Sequence, residues 1–301
     1  METIVAIFVR VILPVFVMVA VGYLAARFLS FDLKTLSRFG LYVLVPCMTF
    51  TAMARTTISV GEFEQIIVFY AVVFGLLWAV SALTARWLKL NAVNSSSFMI
   101  SILFTNCVNV GFPVLQLAYG PAAVERALVY TILMQVFLQT IGVYLAAGGQ
   151  ANARDALKRV VQMPGIYVMF LGLAVNAFGI TIPAPIFDPL KLVGDSIVPF
   201  LLVVLGMQLA SVSLRGNLGV AVIATGLRLG VAGLISLPMA NLFGLQSVTR
   251  QAMILESSMP TAIFGVALAQ EFDTAPDLIT AVILVSTIAS IFTLTIWLAV
   301  L

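Results

Sequence analysis

Ten apolar runs of membrane-crossing length, joined by short polar loops, take up nearly all of this 301-residue chain. A helix needs about 20 apolar residues to cross the hydrocarbon core of a bilayer. The runs lie near residues 4–26, 35–54, 63–87, 94–119, 124–147, 163–180, 191–211, 217–242, 248–270 and 276–300. Backbone groups surrounded by lipid must be satisfied within their own segment, so runs of this kind fold as helices. Composition agrees: 62% of residues are apolar and 9% charged, against about 25% charged in a soluble domain. The chain reads as an all-α integral membrane protein, and a soluble enzyme is excluded. The start, "METIVAIF", has no basic region and no small-residue cleavage signature follows it, so the first run is expected to be a retained helix.

The residue inventory narrows the chemistry. Histidine is absent, which removes the usual general base, proton relay and metal ligand. Cys47 and Cys107 both sit in apolar runs without metal-ligand spacing and read as packing residues. No phosphate loop, nucleotide motif or zinc-protease motif occurs. No cofactor and no nucleic-acid partner are expected, only membrane lipids and a small solute, with coupling to protons or sodium left open. Work at the membrane centre falls to Asn, Gln, Ser, Thr, backbone groups and a few carboxylates.

Charge placement sets the expected orientation. Loops after odd-numbered runs hold Arg27, Lys34, Arg38, Arg86, Lys89, Arg154, Lys158, Arg159 and Arg215; the others hold Arg55, Arg126, Lys191 and Arg250. The bias places the odd loops in the cytoplasm and both termini outside, in a multi-pass protein of the cell (inner) membrane.

The two halves resemble each other. "LPVFVMVAVGYLA" from Leu13 aligns with "MPGIYVMFLGLAV" from Met163, with Pro14 and Pro164, and Gly22 and Gly172, each 150 residues apart. Residues 1–147 and 163–301 would form two five-helix repeats, joined by a cytoplasmic linker at 148–162. An odd number of helices inverts the second repeat. Interrupted helices at matching places in inverted repeats point to a secondary transporter.

The fourth run carries "FTNCVNVGFPVL", with Asn106, Asn109, Gly111 and Pro113; the ninth carries "LESSMPTAIF", with Glu256, Ser257, Ser258 and Pro260. Pro113 and Pro260 are expected to break their helices. Freed backbone groups must be buried or line an aqueous cavity. Two breaks related by a pseudo-two-fold would cross near mid-membrane, with half-helix N-termini turned toward an anion. Glu256 is an intramembrane carboxylate suited to cation or proton binding, or to an ion pair with Arg228. Arg228 could equally meet an anionic substrate or reach toward one face. Gln135 and Gln139 share one helix face and either line a cavity or bond neighbouring helices, as does Gln208. Thr49, just after Pro46, could face the crossing. Asp195 reads as a helix-start residue, and Asp273 and Asp277 as solvated loop residues.

These motifs resemble the auxin efflux carrier family. The similarity lies in "NCVNVGFP", in "LVPCMTF" with Thr49 in place of serine, in "VLGMQLA", and in "MPTAIFGVALAQEFDTAPDLITAVIL" with Pro260, Ala269, Glu271, Phe272, Pro276 and Asp277. The resemblance implies a fold like that of bile-acid symporters and sodium/proton antiporters: ten helices in two inverted repeats, with broken, crossing fourth and ninth helices. It implies a scaffold of the first, second, sixth and seventh helices, a transport bundle of the rest, and dimers formed through the scaffold. Plant members export the carboxylate auxin; bacterial members are described as permeases for acids such as malate or malonate. By position Asn106 would be a substrate or supporting residue and Thr49 a wall of the site. Asn109 departs from the usual apolar residue.

The expectation is a secondary carrier of a small organic anion. Substrate would meet Asn106, Asn109, Gly111, Pro113, Thr49, Ser257, Ser258 and Pro260, with Glu256, Arg228, Gln139 and Gln208 in coupling or gating. A sodium-coupled symporter, a sodium/proton antiporter and a non-transporting ligand sensor are the alternatives. An intramembrane enzyme fits least, since no nucleophile–base pair is evident.

Overall fold

The computed structural model describes residues 4–150, 152–210 and 217–301, and over them it is helical throughout. In chain order the helices are α1 (Ile4–Phe28), α2 (Leu33–Met53), α3 (Val60–Trp87), α4 (Ala92–Leu103), α5 (Cys107–Tyr119), α6 (Pro121–Ala146) and α7 (Ala153–Val161). There follow α8 (Pro164–Ala177), α9 (Ala184–Asp195), α10 (Ile197–Ala210), α11 (Leu218–Leu242), α12 (Ser247–Ser257), α13 (Phe264–Glu271) and α14 (Pro276–Val300). Among the described residues, seven helical stretches are long and apolar enough to cross a membrane, counting α9–α10 as one; α7 and α8, bent by 53°, are an eighth candidate. Large apolar side chains such as Val17, Leu24, Phe170 and Phe292 face outward, as a lipid-embedded surface allows. Arg215 and residues 1–3 lie outside the described residues.

The helices sort into two groups by packing. In one, α1 lies along α10, and α2 packs on α8 and α9. In the other, α3 and α14 flank α4, α6 packs on α12, and α11 bridges α12 and α14. Small residues bring backbones together in the first group. A Cβ on Gly22 of α1 would run into the Val203 carbonyl of α10, and one on Gly206 would run into the Val19 carbonyl. Gly172, the repeat partner of Gly22, likewise sits where α8 meets α2: its Cβ would lie 2.7 Å from Met53 Cβ.

Proline does not break α5. Pro113 lies within it, just after a π turn at Cys107–Gly111, and the chain leaves helical form earlier, at Phe104–Asn106. The same device recurs: π turns at Phe8–Ile12 and Gly40–Leu44 end two residues before Pro14 and Pro46. A π turn absorbs the missing N–H and the ring clash locally, so the helix continues. Pro260, in contrast, does sit in the break between α12 and α13. Asp195 closes α9 instead of opening a helix, and pairs with Lys191 one turn back.

The two breaks meet. Thr105 and Thr261 form an antiparallel bridge. Asn106 N–H donates to the Pro260 carbonyl at 2.7 Å, and Ala262 N–H to the Phe104 carbonyl at 2.9 Å. Thr261 Oγ1 donates to the Ser101 carbonyl at 2.7 Å, and its N–H donates to Ser286 Oγ of α14 at 3.2 Å. Arg228, on a π turn of α11 and fully buried, donates to the carbonyls of Ile102 at the end of α4 and Ser257 at the end of α12. Each helix C-terminus carries about −0.5 elementary charge, so two of them together roughly match one guanidinium.

Two stability outcomes follow from this packing. Gly206→Ala forces α1 and α10 apart and is expected to cost about 1–3 kcal/mol, lowering the thermal midpoint in detergent. Gly75→Ala, which meets open space on α3, should be neutral or stabilise by up to about 1 kcal/mol. Arg228→Gln is expected to cost about 2–4 kcal/mol, since it removes two charge-assisted bonds and relieves one buried charge. Arg228→Lys should fall between, because an ammonium lacks the fork that reaches both carbonyls. Equal losses in Lys and Gln would count against the double-carbonyl role.

Candidate functional site

Behind the crossing lies a buried carboxylate. Glu256, in the last turn of α12, is fully enclosed, and no backbone, hydroxyl, amide or cationic donor reaches either carboxylate oxygen. Gly111 of α5 leaves the space for it: a Cβ there would stand 2.7 Å from Oε2. The Cys107 thiol interacts with the same carboxylate and lies 2.7 Å from Thr105 Oγ1. Glu256 and Arg228 form no ion pair with each other: the arginine's two terminal nitrogens are turned to Ile102 and Ser257. The separation has a simple electrostatic logic. The cation sits at helix C-termini, and the anion lies against the first turns of α5, near its positive end.

In front of the crossing, between the two helix groups, is a cavity of about 330 Å³. Its polar wall is uncharged for the most part: Thr49 from α2, Asn109 from α5, Thr131, Gln135 and Gln139 from α6, and Gln208 from α10. Gln208 Nε2 donates to Ser37 Oγ at 3.2 Å. Val108 and Phe112 of α5, with Ile263 and Phe264 at the start of α13, bring the N-terminal turns of both half-helices to the same space. These turns carry the orphan N–H groups and the positive dipole end.

The cavity thus gathers Thr49, Asn109, Gln135, Gln139 and Gln208 of the residues singled out by sequence. The others stand behind it. Asn106 is 5% exposed, its amide nitrogen unpartnered. Ser258 Oγ donates back to the Ile254 carbonyl, and Ser257 Oγ lies 3.4 Å from the Tyr130 hydroxyl. Gly111, Pro113, Pro260, Glu256 and Arg228 are likewise buried around the crossing. Sequence reasoning missed Thr131, Ser37, Arg159 and Gln162 as lining residues. The i, i+4 spacing from Thr131 to Gln135 and Gln139 was the available signal for the first. Arg159 and Gln162 lie in the linker, where only the bearing of Arg159 on orientation was legible.

A second cleft of about 460 Å³ opens at the other end of α2 and α6, lined by Arg55, Glu125, Lys191 and Asp195 among others. The Arg55 guanidinium stacks 3.6 Å above the Phe187 ring centroid. Among the described residues no three His, Cys, Asp or Glu side chains group as metal ligands.

Comparison with known proteins matches this architecture to one family. Residues 7–298 match the family described as "Membrane transport protein". An "Uncharacterized transporter" of Methanothermobacter thermautotrophicus is 27% identical, over 98% of this chain and 96% of its own. A transporter of Methanocaldococcus jannaschii is 23% identical, over 95% and 96%. A Rhizobium meliloti protein named "Putative malonate transporter" is 24% identical, over 94% and 92%. The chain is a multi-pass membrane protein and belongs to the auxin efflux carrier family of membrane transport proteins.

Proposed function

We propose that the chain is a secondary carrier that moves a small organic anion, a carboxylate, by alternating access. The observation that carries this reading is the cavity in front of the crossing. Two half-helix N-terminal turns and a ring of amide and hydroxyl side chains converge on a space of about 330 Å³, a size that suits a small ligand. Neutral hydrogen-bond donors and dipole ends bind an anion without holding it too tightly to release. The malonate named for the Rhizobium meliloti relative is an anion of this kind.

The packing supports two inverted five-helix repeats. Taking α1, α2, α3, α4–α5 and α6 as one repeat and α8, α9–α10, α11, α12–α13 and α14 as the other, partners exchange in pairs. Contact of α1 with α10 mirrors α8 with α2; contact of α6 with α12 mirrors α14 with α4. In this reading α1, α2, α8 and α9–α10 form a scaffold through which two copies pair. The remaining spanning helices move against it like an elevator, carrying Asn109, Gln135 and Gln139 past Thr49 and Gln208. The linker end of the cavity lies in the cytoplasm by the charge bias, both termini lie outside, and the conformation is inward-facing in the inner membrane.

The test is transport current from purified protein in liposomes on a solid-supported membrane. The panel comprises acetate, pyruvate, malonate and malate, with sodium or potassium, at two pH values. Asn109→Ala should weaken apparent affinity about tenfold, the loss of one hydrogen bond to a charged group, and leave the thermal midpoint unchanged. Asn106→Ala should lower the rate, because its amide stands at the crossing. Currents that ignore exchange of sodium for potassium would remove sodium coupling; silence across the panel from folded protein would overturn the carboxylate reading.

A further inference from the structure

Among the described residues, Arg159 is the only charged side chain that lines the cavity. It lies in the last turn of α7, the amphipathic helix of the linker. Its guanidinium is not idle there. Nη2 donates to Glu271 Oε1 at 2.5 Å and Nη1 to Oε2 at 3.3 Å, a two-pronged pair with the end of α13. The face of Phe272 lies beneath it, with the Arg159 carbon 5.8 Å from the ring centroid. The remaining charged neighbour that acts on it is Asp155, one turn earlier on α7. Both partners keep access to solvent: the side chains are 35% and 49% exposed. Exposed pairs of this kind are weak, since water and salt compete for both ions. A guanidinium held by one carboxylate in a two-pronged geometry is also the group best shaped to receive another.

We infer that Arg159 is the charge-selecting residue of the cavity, receiving the carboxylate of an entering anion in exchange for Glu271. This deepens the carrier reading and rests on it. Glu271 acts as a built-in competitor. It occupies the cation while the cavity holds no anion, so the mouth presents no bare positive charge, and it sets the strength an incoming carboxylate must exceed. Phe272 keeps the guanidinium plane in place while the partners change. Arg159, Glu271 and Asn109 all belong to helices packed with the moving group or joined to it: α7 packs on the end of α6, and α13 packs on α14. The selecting cation therefore sits against the moving group, on a helix that runs into α8 of the scaffold after Gln162 and Met163. A neutral solute gains nothing from the exchange.

The pair makes opposite demands on its two variants, which separates this role from a structural tether. In the proteoliposome assay with malonate and acetate, Arg159→Gln should raise the half-saturating concentration about tenfold, equivalent to about 1.4 kcal/mol, and abolish its dependence on ionic strength. Glu271→Gln should lower the half-saturating concentration several-fold, because the competitor is gone. Arg159→Lys should recover part of the loss, as a charge without the fork. A tether would instead weaken transport in Arg159→Gln and Glu271→Gln alike, with lowered thermal midpoints, and that outcome overturns the inference. So does unchanged affinity in Arg159→Gln beside a wild type that carries the acids. Absence of wild-type current for every carboxylate overturns the carrier reading itself, and this inference with it.

Discussion

Two stretches of non-helical backbone in the middle of an apolar bundle are the constraint from which the rest of this structure follows. Each break releases carbonyls and N–H groups that lipid cannot satisfy. They satisfy one another by crossing: Asn106 donates to Pro260 and Ala262 to Phe104. What backbone pairing leaves over is the surplus negative charge of two helix C-termini facing the same point. Arg228 answers it, reaching Ile102 and Ser257 at once. A buried guanidinium is costly in isolation and tolerable when charge and hydrogen bonds are both matched. The position of α11, which carries Arg228, and of α14, which carries Ser286, is thereby fixed by the crossing.

The same accounting explains why Glu256 and Arg228 stay apart although they lie in adjacent helices. A direct pair would neutralise both side chains and leave the four half-helix ends uncompensated. Separated, Arg228 faces two carbonyl ends, and Glu256, although in the last turn of its own helix, lies against Gly111 near the start of α5. The arrangement leaves the Glu256 carboxylate with the Cys107 thiol as its nearest donor, beside a glycine that gives it room. A carboxylate held by a helix end and not by an arginine is a charged group whose surroundings would change if α5 and α12 shifted against each other.

Much of this was legible in the sequence because the physical signals were local. Apolar run length marked the seven stretches long enough to cross a membrane, and the clusters around Asn106 and Glu256 marked the places where polar groups demand an explanation. Pro113 misled for a definite reason. Proline reports a missing N–H, but a π turn at Cys107–Gly111 absorbs the defect, and the true break at Phe104–Asn106 is set by pairing with residues about 155 positions away. Arg228 was ambiguous for the same reason: its partners, 126 and 29 residues distant, are backbone carbonyls that no side-chain pattern announces. The cavity wall was half legible. Glutamines one turn apart on α6 announced a polar face, whereas Arg159 reaches the cavity only because the linker folds back as a helix.

The two clefts bear on how such a molecule would work. The cavity uses the stretch of α2 from Ser37 to Thr49 and of α6 from Leu128 to Gln139; the second cleft uses Met48 to Arg55 and Pro121 to Glu125. They therefore approach from opposite ends and nearly meet at Met48 and Thr49 on α2. Within the first group, backbones touch through Gly22 and Gly206 with no side chain to slide over, which resists relative motion. Across the boundary the cavity opens between side chains of Gln, Thr, Val and Phe, beside direct contacts of α5 with α1 and α10. Close backbone packing within the first group and an open cavity at its edge are the two kinds of interface that the proposed carrier reading assigns to a fixed and a moving part.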